Sequence, residues 1–102
     1  MVKRETINII KKYVDYLIKM NLPIKKAYLF GSHAKGTYNE DSDIDIALIF
    51  PYLEDEIDMQ ILLMKAGTDF DSRIEPYPFE ENYFNVYHPL ADEIIKTGYE
   101  IQ

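Results

Sequence analysis

Residues 31–45 read GSHAKGTYNEDSDID, and they connect the apolar segment 27–30 to a second apolar segment, 44–50. The first segment is short and stops at a glycine, which predicts a buried strand. The second is apolar at every position except Asp45, which is typical of a central strand covered on both faces. Between them we expect a brief helical turn, capped by Ser32 and ended by Gly36. The stretch therefore predicts a strand, a short helix, a polar loop and another strand.

The remaining chain adds helices and one more strand around this unit. Apolar residues at three- and four-residue spacing predict a helix over 5–20, which Pro23 prevents from continuing. A second helix is expected over 55–66 with its stop at Gly67, and a last one from Pro89 to Gly98. Residues 71–77 predict a third strand that its prolines truncate or place at a sheet edge. This order indicates a layered α/β (α+β) protein in which residues 1–102 form one domain.

Composition excludes several kinds of protein. The chain has no cysteine, which excludes disulfides and thiolate metal sites, and no apolar run that approaches a membrane span. Its N-terminus does not resemble a signal peptide, so we expect a cytoplasmic protein. The net charge of -7 makes direct binding to a nucleic-acid backbone unfavourable, because phosphates need cationic partners. It remains compatible with a nucleotide that carries a magnesium ion.

Asp43 and Asp45 carry the strongest chemical signal. Alternate residues of a strand share a face, so the two carboxylates should point the same way and repel each other. A divalent cation between them would remove the repulsion, and oxygen-only ligands favour Mg²⁺ or Mn²⁺. The alternative is that the two aspartates belong to a solvent-exposed acidic turn that binds no ligand.

Gly31 and Ser32 form the second half of the candidate site. A glycine between a strand and a helix lets the backbone approach a ligand, and the helix start presents free N–H groups to an anion. A phosphate beside a cation fits both halves. Together they predict a site for a metal ion and a nucleoside triphosphate.

The combined motif, Gly31-Ser32 followed after ten residues by Asp43-Ile44-Asp45, resembles the signature of the DNA polymerase β-type nucleotidyltransferase superfamily. More narrowly, the chain resembles the minimal nucleotidyltransferases (MNT), the antitoxin components of HEPN/MNT toxin-antitoxin systems. The resemblance implies the nucleotidyltransferase fold, a small mixed β-sheet flanked by about four helices.

The resemblance also implies a set of acidic residues. In the family, the two motif aspartates, here Asp43 and Asp45, hold magnesium ions, and a third acid on a neighbouring strand completes the site. That acid is Glu75 or Asp71. We favour Glu75 because it lies within the predicted third strand, whereas Asp71 lies nearer the loop. These three acids are the implied catalytic and metal-binding residues.

The resemblance also implies which residues at and after the glycine turn contact the nucleotide. By resemblance, Gly31, Ser32 and Lys35 hold the phosphates. His33 stands where many relatives have arginine, and it is either a weaker, titratable substitute or a surface residue of the short helix. Arg73 either binds phosphate or pairs with a neighbouring acid.

The implied activity is transfer of a nucleoside monophosphate, with AMP from ATP as the favoured case, to a hydroxyl of a partner protein. The implied partner is a helical HEPN ribonuclease toxin. Two alternatives stay open: a non-catalytic antitoxin that occludes its partner, and an antibiotic-type enzyme that modifies a small molecule. We expect no helical acceptor-binding domain of the kind that larger relatives carry, and the tyrosine-rich segments 77–79 and 83–87 suit an interface.

Overall fold

The computed structural model describes residues 2–102 of the chain. Its helices are α1 (Arg4–Lys19), α2 (Ser32–Lys35), α3 (Glu56–Gly67) and α4 (Pro89–Thr97). Its strands are β1 (Lys26–Phe30), β2 (Ile44–Phe50), β3 (Ile74–Glu80) and β4 (Tyr99–Glu100), and a 3-10 turn covers Glu81–Tyr83. The predicted order of helices and strands is confirmed as far as α4. The 3-10 turn and β4 were not predicted.

The four strands form one mixed sheet in the order β3-β2-β1-β4. β2 pairs antiparallel with β1 and parallel with β3, while β4 pairs antiparallel with the free side of β1. The end of β1 and the beginnings of β2 and β3 therefore lie at the same edge of the sheet. The four helices and the mixed sheet confirm the predicted layered α/β (α+β) class.

Strand β2 is apolar on both faces because each face is covered. One face carries Ile44, Ile46, Leu48 and Phe50, which join α1 and α3 in the larger core. The other face carries Ala47 and Ile49, which pack with Ile94 of α4. Asp45 lies on this second face, near the start of the strand. The continuous apolar run is thus explained by helices on both sides, as predicted.

Strand β3 begins later than the sequence pattern predicts. We expected it over 71–77, but it covers Ile74–Glu80, and Asp71 precedes a turn at Ser72 and Arg73. The Asp71 side chain accepts a 2.9 Å hydrogen bond from the Arg73 backbone N–H, and this local bond competes with strand pairing. The prediction of an edge strand is confirmed, and an edge tolerates the prolines at 76 and 78.

The start of α2 also differs from the prediction. Gly31, rather than Ser32, is the N-cap residue, and no side chain caps the helix. Ser32 is instead the first helical residue, and it is half-buried. Gly36 ends the helix in the left-handed conformation, as predicted.

None of the helices within residues 2–102 combines the length and the apolar character that a membrane crossing requires.

Candidate functional site

Three strand ends bring the two halves of the motif together. Asp45, the second residue of β2, lies in register with Glu75 of β3 on one side and Phe30 of β1 on the other. Gly31 follows Phe30 directly. The glycine turn and the two acids therefore meet at one edge of the sheet, although Glu75 is 30 residues from Asp45 in sequence.

Gly31 packs its backbone against the Asp45 side chain. Its φ of 74° and ψ of -151° belong to a region that glycine adopts and other residues avoid. A Cβ atom at this position would lie 3.3 Å from Asp45 Cγ and would overlap the carboxylate oxygen Oδ2. Glycine is therefore required here both by the backbone conformation and by the close approach.

The carboxyl group of Asp45 is in an unfavourable environment for a negative charge. Burial, together with the negative charges of Asp43 and Glu75, raises the pKa of Asp45 to about 6. A hydrogen bond with the Tyr77 side chain acts in the opposite direction. A cation placed beside Asp45 would remove this penalty, so the electrostatics of the site favour a bound positive charge.

Tyr77 belongs to this site and was not predicted as part of it. Its ring packs edge-on against Phe30, with 5.1 Å between ring centroids. Burial raises the pKa of the Tyr77 hydroxyl, and the charges of Asp45, Glu75 and Asp43 raise it further. Its hydroxyl therefore stays protonated and can donate to Asp45. The available signal was its strand parity, since Tyr77 is two residues from Glu75.

The carboxylates of Asp43, Asp45 and Glu75 are suitable ligands for a hard divalent cation, but they do not converge on one point. Within residues 2–102, no three acidic or histidine side chains lie close enough together to hold a metal ion as they stand. Asp43 is exposed and Glu75 is half-buried, so both have room to rotate. Binding of an ion by Asp43, Asp45 and Glu75 would use that rotation, and carboxylate oxygens are the ligands Mg²⁺ prefers.

Asp71, the other candidate for the third acid, is already occupied. Arg73 binds both of its carboxylate oxygens, with Nε–Oδ1 at 3.0 Å and Nη2–Oδ2 at 2.8 Å. This hydrogen bonding holds the pKa of Asp71 below its ordinary value. Arg73 is thus paired with a neighbouring acid, the second of its two predicted roles.

Lys35 lies on α2 beside the glycine turn, where it pairs with an acid of α4. Its ammonium nitrogen is 3.3 Å from Glu93 Oε1, and both side chains are about half exposed. Exposed pairs of this kind contribute little stability. Lys35 can therefore exchange Glu93 for another anion at small cost.

His33 is buried, and its interpretation as a surface residue is wrong. Only 2% of it is exposed. Its ring stacks on Tyr38 with centroids 4.7 Å apart and planes 3° apart, while Nε2 lies 3.2 Å from the carbonyl oxygen of Ser42. Because a carbonyl only accepts, Nε2 must carry the proton. His33 thereby ties both ends of the polar loop to α2, just before Asp43.

Replacement of His33 by alanine should loosen this loop. The change removes the stack on Tyr38 and the hydrogen bond to Ser42, so we expect faster amide exchange in residues 37–43 and a loss of about 1–3 kcal/mol in the free energy of unfolding. His88→Ala is the matched control, because His88 caps α4 through a bond from the Ala91 N–H. Unchanged amide exchange in residues 37–43 of His33→Ala would show that His33 does not hold the loop in place.

Comparison with known proteins agrees with this geometry. The chain is 40% identical over 81 residues to the protein MJ0604 of Methanocaldococcus jannaschii, in a match that covers 74% of this chain and 75% of that one. It is 37% identical over 60 residues to protein adenylyltransferase MntA of Shewanella oneidensis, covering 58% of this chain and 43% of MntA. A solved toxin-antitoxin structure with AMP-PNP superposes with a TM-score of 0.68 at 26% identity, covering 90% of this chain and 72% of the other.

A family model describes the same region as a whole. The nucleotidyltransferase domain model matches residues 10–96, a range that runs from the middle of α1 to α4 and includes the glycine turn, Asp43, Asp45 and Glu75. On this match, together with the shared fold and the MJ0604 identity, the chain belongs to the nucleotidyltransferase domain family.

Proposed function

We propose that this nucleotidyltransferase transfers AMP from ATP to a hydroxyl of a partner protein, and that the partner is a helical toxin of the HEPN type. The observation that carries the proposal is the contact of the Gly31 backbone with Asp45, in register with Glu75. This contact supports the proposal because it brings the start of α2, where a phosphate would bind, next to the acidic residues that would hold a cation. Support for adenine and for a toxin comes from MntA, named a protein adenylyltransferase, and from the toxin-antitoxin structure with AMP-PNP.

The phosphates of the nucleotide would lie at the glycine turn. The first N–H groups of α2 have no acceptor within the helix, and the Ser32 hydroxyl adds a donor beside them. Lys35 would leave Glu93 and contact a phosphate as a point charge. These groups orient the triphosphate with its α-phosphorus toward Asp45.

The acids would act at the α-phosphate. Asp43, Asp45 and Glu75 would hold Mg²⁺ or Mn²⁺, which when bound lowers the pKa of an attacking hydroxyl and neutralises charge on the transferred phosphoryl group. In the reaction, the partner's hydroxyl oxygen bonds to the α-phosphorus and its proton passes to solvent. The bond between the α-phosphorus and the oxygen that bridges to the β-phosphate breaks, and pyrophosphate leaves. Tyr77 would hold the Asp45 carboxylate in position through their hydrogen bond.

Occlusion without catalysis is the second candidate function. It is favoured by the observation that the three acids do not converge as they stand, and by His33 in place of the arginine of many relatives. On this proposal the chain would neutralise its toxin simply by covering it. For both candidate functions we propose that the protein acts in the cytoplasm.

Two matched carboxylate variants test the enzyme proposal. The purified chain is incubated with labelled ATP, Mg²⁺ and the helical protein encoded beside it, and label on that protein is measured. Glu75→Gln should lower transfer about a hundredfold, because a ligand next to Asp45 is lost. Asp71→Asn should retain transfer and lower the free energy of unfolding by about 1–2 kcal/mol, because it weakens the pair with Arg73.

The outcomes separate the candidates. Loss of transfer in Asp71→Asn with full transfer in Glu75→Gln would assign the third acid to Asp71. If no label reaches the partner, and both variants still neutralise it, occlusion is the function. Transfer to a small hydroxylated compound and not to the protein would establish the antibiotic-type alternative.

A further inference from the structure

Helix α3 exposes an unusual amount of apolar surface for a helix that packs on a sheet. Ile57, Ile61, Leu62 and Met64 are between 39% and 70% exposed. Ile61 and Leu62 also line a groove against α1, where Tyr16 and Met20 are exposed as well. We call these six residues the α3 face. Contiguous exposed apolar residues of this kind mark a surface that associates with another molecule.

Two opposite charges divide the α3 face. Asp58 and Lys65 are both exposed and lie seven residues apart, which is two helical turns and about 10 Å along the axis. Neither side chain takes part in an ion pair within residues 2–102. Asp58 and Lys65 balance each other within a chain whose net charge is -7, and the exposed Asp69 at the same groove adds one negative charge.

We propose that the α3 face binds a second copy of this chain, with the two α3 helices antiparallel about a two-fold axis near Ile61 and Leu62. In that arrangement Asp58 of each protomer lies opposite Lys65 of the other, so one patch provides two ion pairs. A parallel pair would instead place each charge beside its own copy. Self-complementarity under a two-fold axis is the requirement for a closed dimer.

The apolar residues meet the same requirement. On a helix with 3.6 residues per turn, Ile57, Ile61 and Met64 lie on one side of the line from Asp58 to Lys65, and Leu62 lies on the other. Antiparallel pairing brings Ile61 against its own copy and Ile57 near Met64 of the other protomer. Each side of the ion pairs is thus covered by apolar contacts. The surface is small, so the dimer should be weak.

The proposed dimer does not involve the candidate active site. Helix α3 packs on the face of the sheet formed by Ile44, Ile46, Leu48 and Phe50. Asp45 lies on the opposite face, with Glu75 in register beside it. A dimer through α3 therefore leaves both copies of the candidate active site open.

A charge-exchange experiment tests the dimer directly. Self-association of the wild type, Asp58→Lys, Lys65→Asp and the double variant is measured by sedimentation velocity over a wide range of concentration. Each single variant places like charges opposite each other twice, and we expect its dimer dissociation constant to rise about tenfold or more. The double variant restores both pairs in reversed order and should dimerise as the wild type does.

Mixing the two single variants provides the decisive measurement. In a heterodimer of Asp58→Lys with Lys65→Asp, both cross-pairs again join opposite charges, so the mixture should dimerise while each component alone does not. Weakened helix stability cannot produce this pattern. A lysine in the first turn and an aspartate in the last turn of α3 both oppose the helix dipole, and the double variant combines both effects.

The proposal is overturned if the wild type stays monomeric at every concentration. It is also overturned if the four proteins associate equally, since the contact would then lie elsewhere. Binding of a different protein to the α3 face, with the free chain monomeric, would assign the surface to that partner instead.

Discussion

Replacement of Asp45 by asparagine is expected to abolish AMP transfer and, at the same time, to stabilise the metal-free protein. Asparagine keeps the shape of the side chain and can still accept from Tyr77, but it removes the charge nearest the glycine turn. Loss of that charge should lower the proposed transfer about a thousandfold, because the cation that Asp45 would hold neutralises charge at the reacting phosphate. Label transfer to the partner protein measures this effect.

The gain in stability follows from the raised pKa of Asp45, about 6 against an ordinary value of 3.8. Between these values the folded chain holds a proton that the unfolded chain has released, so stability falls as pH rises through this window. Above pH 6 the whole penalty is present, about 1 kcal/mol after allowance for solvent screening of a partly buried group. Below pH 4 it is absent.

Thermal unfolding in a chelating buffer checks the sign. Asp45→Asn should be more stable than the wild type at neutral pH, and the difference should shrink toward pH 4. Comparing the two proteins cancels the contributions of other carboxyl groups, such as Asp71. A variant that is less stable than the wild type at neutral pH would show that Asp45 is not under electrostatic strain.

Replacement of Gly31 by alanine should have the second large effect. The new Cβ would overlap the Asp45 carboxylate in a backbone conformation that alanine avoids. We expect a loss of about 2–4 kcal/mol in the free energy of unfolding from strain and overlap together. Transfer should fall about a hundredfold, because Asp45 is displaced from its working position.

A double-mutant cycle separates the two causes. Asp45→Ala removes the atoms that the new Cβ would overlap, so Gly31→Ala should cost less in that background than in the wild type. The remaining cost is the backbone strain alone. Equal costs in both backgrounds would show that the close approach of Gly31 to Asp45 does not limit this position.

Local sequence was sufficient for the parts of the chain whose pattern repeats over a single element. The stripe of apolar residues in α1, the continuous apolar run of β2 and the proline at the start of α4 each predicted the observed element. The limits of β3 were predicted less well. There the Asp71 side chain bonds the Arg73 backbone and replaces strand with turn, and two-residue β4 forms only because β1 offers a free edge.

The residues of the candidate site also fall into two groups, those predicted from local sequence and those recognised only in the tertiary structure. Gly31, Ser32, Asp43 and Asp45 were identified from their spacing, because a glycine turn and alternating acids are local features. The spacing could not show that His33 is buried, since its burial depends on Tyr38 folding back across α2. It also left Asp71 and Glu75 as alternatives and did not assign Tyr77 to the site.

The choice between Asp71 and Glu75 and the position of Tyr77 depend on the pairing of β2 with β3. Parallel strands have no short turn between them to set their register, so the alignment of Asp45 with Glu75 follows from how α3 and both strands pack. The same packing directs Tyr77 toward Asp45 and leaves Asp71 outside the sheet with Arg73. The local sequence thus determines the motif residues and the order of elements. Long-range packing determines which acidic residue lies beside Asp45.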